Sequence, residues 1–167
     1  MPKKNSHCSY CGAAFDDSQP WPRKCVNCGE LTFLNPIPVV VVIVPVDDGV
    51  LLIRRNVEPR SGLLALPGGY VDLGETWQEA GAREVYEETG IRIDAAKLRA
   101  FQVHSGDYNT LLIFAIAEPL KTSDLPAFVN TSETTERVVV REPQELAFPL
   151  HGQVMREYFE QRPHFAS

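Results

Sequence analysis

The sequence predicts an α/β domain, helices packed on a mixed sheet, preceded by a small module that cannot bury a core of its own. Three observations predict it. From about residue 36 onward, short β-branched and apolar runs interleave with two helical stretches, the element order that lays helices on a sheet. All four cysteines fall within the first 28 residues, in a segment rich in Pro, Gly and Ser with little apolar periodicity. Asn35-Pro36-Ile37-Pro38 marks a join, so the domains are expected at 1–35 and 36–167.

Each element has its own signal. Val39 to Val44 is an unbroken β-branched run that suits a strand buried on both faces. Asp47-Asp48-Gly49 is a turn signal and Val50 to Arg54 a second strand, which together read as a hairpin. Leu63 to Leu66 is a short apolar stretch closed by Pro67-Gly68-Gly69. Glu75 to Thr89 reads as a helix, preceded by Gly74 and stopped by Gly90. Leu98 to His104, Leu111 to Ala117 and Arg137 to Arg141 are further strands. Gln153 to Gln161 is a C-terminal helix ended by Pro163.

With 44% hydrophobic and 23% charged residues the composition is that of a soluble globular protein. The net charge of −6 argues against nucleic acid or an anionic membrane as a general partner. The longest apolar stretch, Ile37 to Val46, is interrupted by two prolines and is too short to span a bilayer. The N-terminus is polar and lacks the apolar run of a signal peptide, so a cytoplasmic location is expected.

Cys8-x-x-Cys11, thirteen residues, then Cys25-x-x-Cys28 is a four-thiolate pattern. In a reducing compartment such pairs favour metal over disulfides. Gly12 and Gly29 follow the pairs directly and suit tight turns that aim two sulfurs at one ion. Four cysteines close a tetrahedral, structural Zn²⁺ site, with His7 a neighbour rather than a ligand, and the segment is a zinc ribbon that folds only with its metal.

From Gly68 to Gly90 there are six acidic residues (Asp72, Glu75, Glu79, Glu84, Glu87, Glu88) against one basic residue, Arg83. Glu84, Glu87 and Glu88 stand at i, i+3 and i+4, so a helix puts all three carboxylates on one face. Like charges at that spacing destabilise a bare helix, and a hard divalent cation reverses the sign. Arg83 and Glu87 are i and i+4, so the arginine can orient one carboxylate. Trp77, Ala80, Gly81 and Val85 form the opposite face, small or apolar enough to lie on a sheet. A solvated acidic surface is the ordinary origin of such a cluster. The surrounding pattern decides against it.

Gly69, five residues, Glu75, seven residues, then Arg83-Glu84-Val85-Tyr86-Glu87-Glu88-Thr89-Gly90-Ile91 resembles a Nudix box at every specified position. The resemblance spans 23 residues directly, and the element order of residues 36 to 162 is similar to the family's αβα sandwich with a mixed sheet. It implies a magnesium- or manganese-dependent hydrolase of a pyrophosphate bond in a nucleoside diphosphate linked to another moiety. Glu84, Glu87 and Glu88, with the carbonyl of Gly68 or Gly69, would be the metal ligands, and Glu75 and Arg83 would orient them. The general base would be Glu84 or a later loop glutamate, with Glu136 preferred over Glu133 because it stands at the edge of the Val138-Val139-Val140 strand.

A ribbon ahead of such a domain resembles the NADH pyrophosphatase group and related hydrolases of FAD or ADP-ribose-like compounds. The Ser-Gln-Pro-Trp-Pro-Phe-Pro marker of the NADH group follows the box. Here Ser18-Gln19-Pro20-Trp21-Pro22 stands inside the ribbon instead, and Phe101 to Asn109 holds nothing of that kind. The proline some fifteen residues past the box that suggests ADP-ribose is also missing. Tyr108 lies seventeen residues past Ile91, a spacing that resembles the dinucleoside polyphosphate group. Arg54, Arg55 and Arg60 stand where they could meet phosphates. The expected partner is a small nucleotide, releasing a nucleoside monophosphate, with a homodimer as an assembly to test. The competing reading makes the ribbon an RNA- or protein-binding module, with the Nudix domain a decapping enzyme or nucleotide sensor. Lys3, Lys4, Arg23 and Lys24 against Asp16, Asp17 and Glu30 leave that ribbon barely basic.

Overall fold

The computed structural model describes residues 4–162, so Lys3 and Pro163 lie outside the described residues. The chain divides into two compact units, Met1–Pro36 and Ile37–Ser167.

The first unit holds one antiparallel ladder, β1 (Arg23–Lys24) on β2 (Leu31–Thr32). It has almost no aliphatic core. Instead Arg23, 8% exposed, stacks over Trp21 at 4.6 Å, and Trp21 meets Phe15 edge-on at 6.1 Å. The guanidinium also donates to the carbonyls of Gln19 and Asp17. The Ser18-to-Pro22 stretch therefore packs this small unit, which accounts for its aromatic residue locally.

In the second unit, β3 (Ile37–Ile43) carries the β-branched run, and Val40 to Ile43 are fully buried as expected of a two-faced strand. It pairs antiparallel with β7 (Gly68–Tyr70) and parallel with β9 (Thr110–Ile116), and β8 (Arg99–Gly106) closes the order β7-β3-β9-β8. A second sheet centres on β5 (Gly49–Arg55), flanked by β10 (Thr134–Val140), β4 (Pro45–Val46) and the short β6 (Leu64–Ala65). The expected hairpin between the two first strands is thus corrected. The chain changes sheets around Val44-Pro45, and only Pro45 and Val46 pair with β5. Proline has no N–H to continue the β3 ladder, so the run splits there.

Helix α1 (Trp77–Thr89) starts two residues later than the sequence suggested. Thr76 caps it, accepting from the Glu79 N–H while Glu79 accepts from the Thr76 N–H, a reciprocal capping box. Gly90 ends it in the left-handed region at φ 73°. Helix α2 (Pro149–Gln161) begins one turn earlier than expected, because Pro149 suits the first helical turn. Ala80 and Val85 of α1 pack on Val40, Val42 and Val44, one face of β3. Val154, Met155 and Tyr158 of α2 pack with Val41, Ile43 and Phe114 on the other. The αβα layering follows from that alternation. Among the described residues no helix is long and apolar enough to cross a membrane.

Candidate active site and the cysteine cage

The site is built on one junction, where α1 crosses the three-residue strand β7. Gly68 donates its N–H to Glu88 Oε2 at 2.9 Å. A Cβ on Gly69 would lie 2.4 Å from Glu84 Oε1, so any side chain there would displace that carboxylate. Gly68 is the more constrained, since a Cβ there would stand 2.2 Å from the Val40 carbonyl oxygen, a backbone atom. The three glutamates share a helix face but not an environment. Glu88 is 5% exposed, Glu84 is half-buried, and Glu87 is open to solvent.

Those depths set the electrostatics. Burial pushes the Glu88 carboxyl up to about 8, against the opposing pull of the Gly68 N–H, with Glu84 and Glu133 adding repulsion. Glu84 is raised too, first by burial, with Arg83 opposing. Arg83 is the organiser. Its Nη2 donates to Glu75 Oε1 at 2.8 Å and to the Tyr70 carbonyl at 2.9 Å, and its Nη1 to Glu84 at 2.7 Å and Glu87 at 3.1 Å. Glu75 in turn accepts the Asp72 N–H at 2.7 Å, which pins the loop before the helix. One planar guanidinium thus fixes three carboxylates and one strand carbonyl.

Glu87, Glu88, Thr131, Ser132 and Glu133 line a cleft of about 210 Å³. A larger hollow, about 310 Å³, lies by Ala82, Tyr86 and Arg92, with Arg92 stacked over Tyr86 at 4.0 Å. Its lining holds no carboxylate, whereas the smaller cleft is lined by three, Glu87, Glu88 and Glu133.

The remaining expected residues fall into two groups. Glu136 is tied to Arg54, Oε2 to Nε 2.6 Å, on the β10–β5 ladder. Arg55 donates to the Pro59 carbonyl and stacks over Phe148 at 5.1 Å, and it is close enough to Glu88 to lower that carboxyl. Arg60 stacks over the same Phe148 ring at 5.3 Å, with its Nη1 donating to the Ala147 carbonyl. Tyr108 is 87% exposed in the β8–β9 turn with φ 58°. Arg54 is engaged by Glu136 and the Gly62 carbonyl, and Arg60 by Phe148 and Ala147, rather than by the glutamates of α1. Sequence reasoning ranked Glu133 below Glu136 and passed over Thr131 and Ser132; their only sequence signal is a polar run ahead of a β-branched strand.

The donor set fits a hard divalent cation. Glu88 is a buried carboxylate and Glu84 a half-buried one, each desolvated enough to raise its pKa, and the flanking glycines bring the backbone beside them. The cysteine cage fits a different one. Cys8, Cys11, Cys25 and Cys28 hold their sulfurs within 4.8 Å of one another. Cys8 and Cys28 are 3.7 Å apart and Cys11 and Cys25 3.6 Å. Metal–sulfur arms of about 2.3 Å in a tetrahedron give edges of about 3.8 Å, so the cage has the size that four thiolates need. Backbone N–H groups of Cys11 and Tyr10 bring the Cys8 thiol down to about 6, favouring the thiolate. His7 is not among the clustered ligand atoms.

The profile of the NUDIX domain family matches residues 35–161. The chain belongs to that family. Among curated relatives, the NAD-capped RNA hydrolase NudC of Shigella dysenteriae serotype 1 is 27% identical over 159 residues, 95% of this chain and 60% of that protein. The protein of the same name from Edwardsiella ictaluri is 34% identical over 87 residues, 52% of this chain and 34% of that one. The chain therefore matches between about a third and three fifths of the length of these relatives. A NUDIX hydrolase structure from Nitrosomonas europaea superposes with TM-score 0.72 at 24% identity, covering 95% of this chain and 93% of that one. The ADP ribose pyrophosphatase-containing bifunctional enzyme of Francisella tularensis follows at TM-score 0.65 and 22% identity, over 78% of this chain and 42% of that chain. Both share the NUDIX fold.

Proposed function

We propose that this NUDIX protein is a Mg²⁺- or Mn²⁺-dependent pyrophosphohydrolase acting on a nucleoside diphosphate joined to a second group, such as NADH, FAD or ADP-ribose. The observation that carries this reading is the pair of desolvated carboxylates, Glu84 and Glu88, held against the Gly68–Gly69 backbone beside an open cleft. Two carboxylates a helical turn apart, one buried and one half-buried, make structural sense where a cation neutralises them. The curated relatives named NAD-capped RNA hydrolases support a substrate with an NAD-type pyrophosphate, free or at the end of an RNA.

Glu84, Glu87 and Glu88, with the Gly68 carbonyl, would hold the metal. Bound there, the divalent ion supplies charge neutralisation to the pyrophosphate oxygens and lowers the pKa of a coordinated water. Arg83 keeps Glu84 and Glu87 in position, and Glu75 anchors Arg83. We assign proton removal from the attacking water to Glu133 in preference to Glu136. Glu133 lines the cleft beside Glu87 and Glu88, whereas the Glu136 carboxylate is neutralised by Arg54. Arg55, near Glu88 at the mouth of the second sheet, is the arginine best situated to meet a phosphate. Zn²⁺ in the cysteine cage is structural, and a thiolate cage of this kind accords with a cytoplasmic location. A homodimer is the assembly expected with this reading, checked by sedimentation.

Product analysis tests the reaction. Incubating the full chain with NADH, FAD and ADP-ribose in ¹⁸O water with Mg²⁺ is expected to yield a nucleoside monophosphate carrying the label on one phosphorus. A panel left uncut under those conditions contradicts the proposal.

A further inference from the structure

The cleft beside the glutamates has two walls that the chain reaches by different routes. One is the last turn of α1, which carries Glu87 and Glu88 and ends at Thr89. The other is the segment 126–133, whose end supplies Thr131, Ser132 and Glu133.

The Glu133 end of that segment is fastened to the second sheet. Thr131 closes a turn with Thr134, its N–H donating to the Thr134 carbonyl at 2.9 Å. Its hydroxyl accepts the N–H groups of Glu133 at 3.2 Å and of Thr134 at 3.0 Å. Asn56, just past β5, donates its N–H to the Glu133 carbonyl at 2.7 Å and its side-chain amide to the Ser132 carbonyl at 3.1 Å. None of these bonds reaches α1, where the carboxylate face stands.

One side chain makes that link. Arg137 on β10 is half-buried, and its Nη1 donates to the Thr89 carbonyl at 2.7 Å while its Nη2 donates to the Pro126 carbonyl at 2.6 Å. Phe128, inside the segment, lies under the guanidinium at 5.7 Å. Among the described residues no carboxylate pairs with Arg137, so its fork is spent on one carbonyl from each wall. The helix end has a physical need for it. The last carbonyls of a helix lack partners within it and form its negative pole. Helix α1 has no basic residue in its last turn and gathers Glu84, Glu87 and Glu88 toward that pole. The compensating cation arrives from another strand. Because a guanidinium is planar, with its donors in a fixed fork, the two carbonyls it binds are held at one separation.

We propose that Arg137 is a positioning residue, bracing the segment 126–133 against the end of α1 and so setting how far Glu133 stands from the Glu84, Glu87 and Glu88 face. It touches no reacting atom and acts through Glu133. The inference rests on the pyrophosphohydrolase reading with Glu133 as the base.

Steady-state kinetics of the full chain with NADH and Mg²⁺ give the test. Arg137→Met keeps an apolar stem and removes both bonds. It is expected to lower kcat by about 10- to 100-fold, the scale of a misplacement of about 1 Å. KM should stay within about 3-fold, since both Nη groups are engaged by the protein. In a Glu133→Gln background the same substitution should cost no more than about 3-fold, because a group can be misplaced only while it works. Arg137→Lys keeps the charge without the fork and should recover less than half of the loss on a logarithmic scale. Arg141→Met, just past β10, removes an exposed ion pair with Asp48 and should leave kcat within about 2-fold. Hydrogen exchange adds a readout that needs no turnover. Amides at 131–134 should exchange at least about 5-fold faster in Arg137→Met, with those of β3 unchanged. Losses that multiply in the double variant, full recovery by lysine, an equal fall in Arg141→Met, or unaltered exchange at 131–134 overturn the proposal. A wild-type chain without turnover removes the hydrolase reading instead, and the exchange comparison then decides alone whether Arg137 braces the segment.

Discussion

Glu88 shows how depth divides labour among three like residues. It is buried where Glu87 is exposed, yet both stand on the same helix face. The i, i+3, i+4 spacing was legible from the sequence because it is local; the depths were not, since they depend on β7 lying across the helix. Glu88→Gln is expected to cut kcat by about 10²- to 10³-fold, the scale of losing one electrostatic partner of the transition state. The melting temperature should hold or rise, because a neutral amide escapes the desolvation that raises the Glu88 carboxyl. Steady-state kinetics with thermal unfolding on the same sample check both. Glu133→Gln should lower kcat by about 10²-fold or more, and Glu136→Gln by under about 10-fold. The reverse order would return the base to Glu136. Sequence could not rank them. Glu133 lines the cleft from the loop ahead of β10, while Glu136 lies beyond a register irregularity in the β10–β5 ladder, where it meets Arg54.

His151 belongs to the same scale. Burial, with a smaller contribution from Arg55, brings its pKa down to about 3, and its Nδ1 has no hydrogen-bond partner among the described residues. The unfolded chain takes up a proton near pH 6.5 that the folded one refuses, so stability is full above that pH and falls as pH drops toward 3. The loss at pH 5.5 should be about 1 kcal/mol. Urea unfolding at pH 7 and 5.5 measures it, and His151→Phe should shrink the difference by that amount. An unchanged pH dependence in the variant contradicts the burial argument.

Elements were legible where periodicity is long and strong. The β-branched run, the capped acidic helix and the apolar strands from Leu98 and Leu111 all form close to where the sequence put them. Pairing was less so. Strand β7 is three residues, two of them glycine, and reads as a turn, although it forms the backbone wall of the site. The hairpin expected from the Asp47-Asp48-Gly49 turn formed only over Pro45 and Val46, because sheet partners are chosen by long-range packing. The α1 start is held by the Thr76–Glu79 capping box, so Thr76→Ala should cost about 1 kcal/mol in chemical denaturation. Gly69→Ala is the sharper probe. Its methyl group would stand 2.4 Å from a Glu84 oxygen, so metal affinity should fall while secondary structure by circular dichroism is retained.

At the scale of the molecule, the chain joins a unit that clusters four sulfurs to one that has its own apolar core. The cysteine spacing announced the first, since two short pairs need no tertiary information to be recognised. Elemental analysis of the purified chain should give one zinc per chain, and Cys25→Ser should lose the zinc and solubility while any folded remainder keeps its turnover. Zinc retained in Cys25→Ser would contradict the cage.

The claim on which the account turns is that buried carboxylates work through a divalent cation, and a metal titration of turnover meets it directly. With NADH, FAD and ADP-ribose as substrates, cleavage should rise from nothing with added Mg²⁺ or Mn²⁺, saturate, and vanish in excess chelator. Hydrolysis indifferent to chelator, or none at any metal concentration, would contradict it.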